Sequence, residues 1–327
     1  MNISGAYQTA KGNYRSLRMR IKHLRNYFFD RAPKILILAY HRVIEDSSFN
    51  PLNTIVSRAA FAGHIESLAA RFPVISLSSA VKQCAEGSAK SALQLVLTFD
   101  DGYEDNFECV FPFLRKKGLP AAFFLPAGHI GAKKPLWDWE LMTLIFGRYG
   151  IKRVKAGNNV IAQGPLEPRL NFALRVFSAM KALGRDEREK AMVPLRKQAE
   201  EDSGFIRRPL PGFLSWEQAK AMSDAGMEIG SHAVSHDSLT SMSFAQACEE
   251  VRCSKELTEN KGISCRHFAF PFGSRNDFND GLIACVKGAG YASCLLNIHG
   301  YNRAQKDIFC FKRIIMDEMV NLNCLLG

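Results

Sequence analysis

The sequence predicts an α/β fold: a distorted (β/α) barrel of about seven or eight parallel strands with a helical insertion. Three observations carry that expectation. Short apolar runs recur along the chain, Ile35 to Ala39, Leu95 to Phe99, Pro120 to Leu125 and Phe268 to Phe272, each too short for a helix and apolar on both faces. Stretches of helical periodicity separate them, which requires parallel pairing and right-handed crossovers. Several runs also break off at residues able to do chemistry, and the C-terminal ends of barrel strands are where such residues gather.

Composition narrows the class. With 327 residues, 47% apolar and 23% charged, the chain has the make-up of a globular protein. No apolar run is long enough to span a bilayer. The nine cysteines are scattered, odd in number and without CxxC spacing, which predicts reduced thiols in a cytoplasmic protein.

The net charge of +11 is concentrated at one end, since residues 1–34 hold eight Lys or Arg against Asp30 alone, a local net of +7. Tyr14, Leu17, Ile21, Leu24 and Phe28 recur there at helical spacing, so residues 1–33 read as a basic amphipathic helix ahead of a barrel over 34–327. That helix is expected to pack on its own barrel or on a second copy in a homodimer. The alternative is peripheral contact of residues 10–29 with the inner face of an anionic membrane. Its apolar residues never form a signal-peptide core, and no motif or aromatic platform for nucleic acid is present.

Taken in order, Ile35 to Ala39 form the first strand, running into Tyr40-His41-Arg42-Val43. Helices are expected over Arg58 to Arg71 and Leu77 to Cys84, then the strand Leu95 to Phe99, a helix from Asn106 to Lys117 closed by Gly118, and the strand Pro120 to Leu125. From about 132 to 211 the alternation stops. Leu166 to Glu201 is rich in helix formers, and Trp137-Asp138-Trp139-Glu140 opens a helix-like run, so this segment reads as a helical insertion with few aromatics for a core of its own. Ser215 is a plausible N-cap for the next helix. Helices near Phe244 to Glu259 and Phe278 to Lys287 flank Phe268 to Phe272, and Tyr291 to Leu296 and Ile308 to Ile315 supply the last strands.

Three stretches stand out chemically. Asp100-Asp101-Gly102 follows a strand, and two adjacent carboxylates can share a site only where strand gives way to loop. In Gly230-Ser231-His232-Ala233-Val234-Ser235-His236, two histidines four apart would share one face of a helical turn. Such a pair plus one carboxylate makes a three-ligand catalytic metal site. Each stretch alone also suits an ordinary turn or a packed histidine pair. The third stretch is Phe268-Ala269-Phe270-Pro271-Phe272-Gly273.

In this order the motifs Thr98-Phe99-Asp100-Asp101-Gly102, His232-x-x-x-His236 and Phe270-Pro271-Phe272-Gly273 resemble those of the polysaccharide deacetylase family, the NodB-homology carbohydrate esterases, over roughly residues 35–315. The resemblance implies a metal-dependent N-deacetylase acting on the acetamide of an N-acetylated sugar or glycan, including lipid-linked or surface-glycan precursors. It makes Asp101, His232 and His236 the metal ligands, Asp100 the general base and the backbone N–H of Tyr103 an oxyanion donor. Zinc suits the ligands, as do nickel and cobalt.

Two departures stand out. Ala269 occupies the place of an arginine that many members use to orient the base, and Arg313 is the candidate substitute, against an ordinary surface arginine. The late Leu-x-His motif that supplies the acid is missing; His41 is preferred for that role over His299, against a plain hydrogen-bonding role for His41. Asp138 and Asp277 suit loop or capping roles. Two other functions remain open: a catalytically silent glycan-binding barrel, and a related C–N hydrolase acting on a non-sugar amide.

Overall fold

The computed structural model describes residues 34–88, 93–147, 151–202, 204, 210–303, 307–318 and 320. The basic helix expected over residues 1–33 lies outside the described residues, as does Cys324. The chain forms β1 (Lys34–Tyr40), β2 (Arg42–Ile44), β3 (Ile55–Ser57), α1 (Arg58–Ala69), α2 (Leu77–Glu86) and β4 (Leu93–Phe99). A π-turn over Asn106–Val110 runs into α3 (Phe111–Lys116) and β5 (Ala122–Leu125). The insertion comprises α4 (Trp137–Gly147), the antiparallel hairpin β6 (Arg153–Ala156) and β7 (Asn159–Ala162), α5 (Arg169–Lys181) and α6 (Arg185–Glu201). There follow α7 (Trp216–Asp224), β8 (Glu228–Ser231), α8 (Phe244–Glu259), β9 (Cys265–Ala269), α9 (Asp280–Gly288), β10 (Ser293–Leu296), β11 (Phe311–Lys312) and β12 (Ile314–Ile315).

Eight of these strands make one all-parallel sheet in the order β11-β10-β9-β8-β5-β4-β1-β12. Its two outer strands, β11 and β12, are consecutive in sequence and separated only by Arg313. One pairs with β10 and the other with β1, so a single broken stave joins the two ends of the sheet into a barrel. The apolar run Ile308 to Ile315 therefore does not form the continuous strand expected of it.

Side chains alternate across the barrel wall, as the period of a strand requires. Leu36, Leu38, Tyr40, Leu95, Leu97 and Phe99 pack outward with Phe61, Ile65, Val110 and Leu114 of the helical layer. Ile35, Ile37, Val96, Phe124, Leu295 and Phe311 form a separate cluster with Leu77, Ala80, Val81 and Cys84 of α2. Helix α2 thus plugs the N-terminal end of the barrel, anchored where Leu77 N and Ser78 N donate to the Glu228 carboxylate at 2.6 and 3.0 Å. Only the C-terminal mouth is left for a site.

The insertion has an apolar cluster of its own, built on Leu141, Met142, Ile145, Val154, Phe172, Val176, Met192 and Leu195. It also contains the β6–β7 hairpin, turned at Gly157, between the helix-like run from Trp137 and the helical stretch Leu166 to Glu201 of the expected helical insertion. Ser215 caps α7, and Gln218 completes the capping box. One expectation is corrected: the thiols are not all reduced, because Cys248 and Cys285 form a disulfide joining α8 to α9, with Cα atoms 5.4 Å apart. The two residues lie 37 apart with no spacing motif, so only the packing of the two helices brings them together.

Candidate active site

At the end of β4, alternation carries Asp100 inward beside Thr98. Arg313, at the break in the closing stave, is fully buried and grips that carboxylate with both guanidinium arms, Nη1 to Oδ1 and Nη2 to Oδ2, each at 2.7 Å. Burial pushes the Asp100 carboxyl up, but the Arg313 charge and its hydrogen bonds outweigh this and hold it below the usual carboxylate range. Arg313 thus reaches the Asp100 carboxylate from the closing stave, while Ala269 on β9 carries no such group.

The same alternation would send Asp101 outward. Instead Asp101 takes φ +73°, and the chain turns back on itself so that its carboxylate joins the mouth. Four of the five non-glycine residues with positive φ among the described residues belong to this site: Asp101, Ala233, His236 and Phe272. Such conformations cost about 1–3 kcal/mol each and persist where surrounding contacts enforce them.

Here those contacts can be named. Val234 N and Ser235 N both donate to Glu250 Oε2 at 2.9 Å, and Ala127 N and Gly128 N donate to Ala233 O and Val234 O at 3.0 and 2.9 Å. Asp237, next to His236, is ion-paired with the buried Arg188 and with Arg185 at 3.0 Å, both from α6 of the insertion. The segment is consequently a braced loop and not the helical turn that a four-residue histidine spacing suggested. Nothing in the sequence marked Glu250, Arg185 or Arg188 for this task.

Asp101 Oδ1 lies 3.0 Å from His236 Nε2 and 3.5 Å from His232 Nε2, and all three side chains are buried. His232 Nδ1 lies 2.7 Å from Ala269 O and donates to it, so its Nε2 carries a lone pair aimed at the carboxylate. Asp101 Oδ1 has no hydrogen bond of acceptable geometry. A buried carboxylate oxygen facing the His232 lone pair is what a cation resolves. Donors about 2.0–2.1 Å from a tetrahedral zinc stand roughly 3.4 Å apart, close to the spacings here. The three residues fit one divalent ion. Burial lowers the His236 pKa, but the Asp101 carboxylate beside it raises it more, to about 9.

His41 leaves β1 beside Asp100, its Nε2 4.0 Å from Asp100 Oδ2, with its own carbonyl held by Asn106 Nδ2 at 2.8 Å. Arg42 grips Asp105 at 2.9 Å and lies over the rings of Tyr103 and Trp139. The Tyr103–Phe213 bridge is bonded through Leu214 N to Gly102 O and Glu104 N to Gly212 O, which leaves the Tyr103 N–H outside that ladder. The exposed His299 lies in the loop after β10. Asp277 has a local role, accepting from Ser274 N and Ser238 Oγ at 3.0 and 2.7 Å, and pairs with Lys181. Asp138 Oδ1 accepts from Trp139 N at 2.7 Å, while its Oδ2 faces His236.

Fold and site define the class: a parallel (β/α) barrel whose C-terminal mouth carries an Asp-His-His set suited to one divalent ion. Within that class the chain belongs to the polysaccharide deacetylase family, whose model matches residues 88–293. YxkH of Bacillus subtilis (strain 168) is 29% identical over 116 residues, 35% of this chain and 40% of that protein, so the match spans about two fifths of its relative's length. The Streptococcus pyogenes deacetylase PplD, solved in complex with acetate, superposes with a TM-score of 0.59 at 17% identity, covering 90% of this chain and 97% of its own. IcaB from Ammonifex degensii gives 0.58 at 18% identity, covering 88% and 93%. At these identities the two structures share the fold.

Proposed function

We infer that the protein is a metal-dependent N-deacetylase that hydrolyses the acetamide of an N-acetylated sugar or glycan. The observation that carries this is the juxtaposition at the barrel mouth of a three-ligand set with a separate carboxylate, Asp100, held ionised by Arg313. A divalent ion held by Asp101, His232 and His236, zinc being the best suited, supplies Lewis acidity for carbonyl attack. Amide hydrolysis also needs a base, an oxyanion donor and an acid for the leaving amine. Asp100 takes the proton of the attacking water, and the bidentate grip keeps its carboxylate aimed. The Tyr103 N–H donates to the developing oxyanion. His41 returns a proton to the amine nitrogen, and its place beside Asp100 allows a proton gained on one side of the site to be matched on the other.

The test is acetate release by purified, zinc-loaded protein over N-acetylhexosamine oligomers and lipid-linked N-acetylated intermediates. Release by wild type and none by Asp100→Asn is expected. Absence of release from every sugar with turnover of a simple non-sugar amide would move the activity to another C–N hydrolase. Glycan binding without turnover of either would make the barrel a binding protein.

A further inference from the structure

The function proposed above leaves unused the first turn of α4, which brings Trp137, Asp138 and Trp139 from the insertion to the barrel mouth. His232 and His236 both turn Nε2 toward Asp101, so each needs an outer partner at Nδ1 to fix its tautomer and ring orientation. For His232 that partner is the carbonyl of Ala269. His236 Nδ1 is buried and has no hydrogen-bond partner. The acceptor facing it is Asp138 Oδ2, 4.0 Å away.

The neighbouring carboxylate, Asp237, is already taken up by Arg188 and Arg185. Asp138 is itself buried, and among the described residues no Lys or Arg lies within ion-pair distance of it. Because Nδ1 and Nε2 stand on opposite sides of the ring, Asp138 approaches His236 from the side away from Asp101. It is accordingly no member of the three-ligand group. The start of the helix is held by the stack of Trp137 on Phe177, with centroids 5.5 Å apart, and by Arg188 over the Trp137 ring at 4.6 Å.

We propose that Asp138 is a positioning residue of the metal site, the carboxylate that takes the Nδ1–H of His236 and so presents the Nε2 lone pair to the ion. A charge-assisted hydrogen bond spans about 2.7–2.9 Å, so the pair closes by roughly one ångström when the site is loaded. The insertion then completes the barrel's own metal site, from one side through Asp138 and from the other through Arg185 and Arg188 on Asp237. This rests on the assignment of Asp101, His232 and His236 as ligands.

The test uses the full chain and zinc, with the dissociation constant measured by chelator competition. Asp138→Ala is expected to bind zinc about 10- to 100-fold more weakly. Asp138→Asn keeps an acceptor oxygen and should recover part of that loss, with thermal unfolding of the metal-free variant showing that the fold is intact. Imidazole ¹⁵N spectra of zinc-loaded wild type should show His236 protonated at Nδ1 and hydrogen-bonded, a signature altered in Asp138→Ala. Wild-type zinc affinity in both Asp138 variants would overturn the proposal. Equal zinc binding by wild type and His236→Ala would instead overturn the ligand assignment, and the proposal with it.

Discussion

Asp100 and Asp101 are adjacent yet separate in role because one backbone torsion divides them. Asp100 obeys strand alternation and meets Arg313, whereas Asp101 leaves it at φ +73° and meets the two imidazoles. Their substitutions should therefore part company: Asp100→Asn is expected to retain its zinc and lose activity, and His236→Ala to lose the zinc, both read by metal analysis beside acetate release. His41→Ala should keep metal and fold while kcat drops by about 10² to 10⁴. His299→Ala should be nearly silent, and the reverse pattern would move the acid to His299. These residues were legible because chemistry-bearing side chains ended apolar runs; the torsion that sorts the two aspartates leaves no mark in composition. A different histidine sets a pH dependence. His267 is buried near the α2 plug between Ser78 Oγ and Ser293 Oγ at 2.9 and 2.8 Å, and burial lowers its pKa to about 4. The unfolded chain protonates this residue near pH 6.5, so its contribution is whole above that pH and is lost as the pH falls toward 4, by up to about 3 kcal/mol. Urea midpoints between pH 7 and 4.5 should fall steeply for wild type and less for His267→Gln.

At the scale of elements, the strands were readable wherever both faces are buried, because an unbroken apolar run has no other use at that length. Elements shaped by tertiary contacts were not. The histidine segment has a spacing that fits a helix, and it is a loop because Glu250, Ala127 and the insertion's arginines satisfy its backbone and charges in another conformation. The β6–β7 hairpin did carry a signal, Gly157-Asn158 between Val154 and Val160, but the surrounding helix formers masked it. Close packing of β8 on its neighbours gives a test at this scale. A Cβ at Gly230 would lie 2.5 Å from Phe124 Cε1 and 2.8 Å from the His267 carbonyl oxygen, so the inner wall and an adjacent strand would both have to move. Gly230→Ala should cost about 1–3 kcal/mol in chemical denaturation and weaken zinc binding through the displaced His232. Stability equal to wild type would show that the wall is softer than its packing implies.

The whole molecule is closed by its least strand-like segment. The sequence predicts one strand over Ile308 to Ile315; β11 and β12 hold two residues each within it, and the break that lets each bond a different end of the sheet leaves no mark in the apolar pattern. Between them Arg313 runs into the barrel interior and lies over Phe124, with its guanidinium spent on Asp100 across the mouth. The backbone pairing of β11 and β12 closes the seam, and one ion pair with both partners fully buried adds to that hold and aims the proposed base. Such a pair adds little over apolar packing when intact, since desolvation offsets attraction, but losing one partner strands the other's charge. Arg313→Ala should accordingly cost about 3–5 kcal/mol and abolish activity. Pairing Arg313→Met with Asp100→Asn removes both charges and should restore most of the stability without restoring turnover. Urea denaturation of the single and double variants reads the difference directly: if Arg313→Ala costs less than about 1 kcal/mol, or the double variant is no more stable than the single, the ion pair does not add to the hold on the seam.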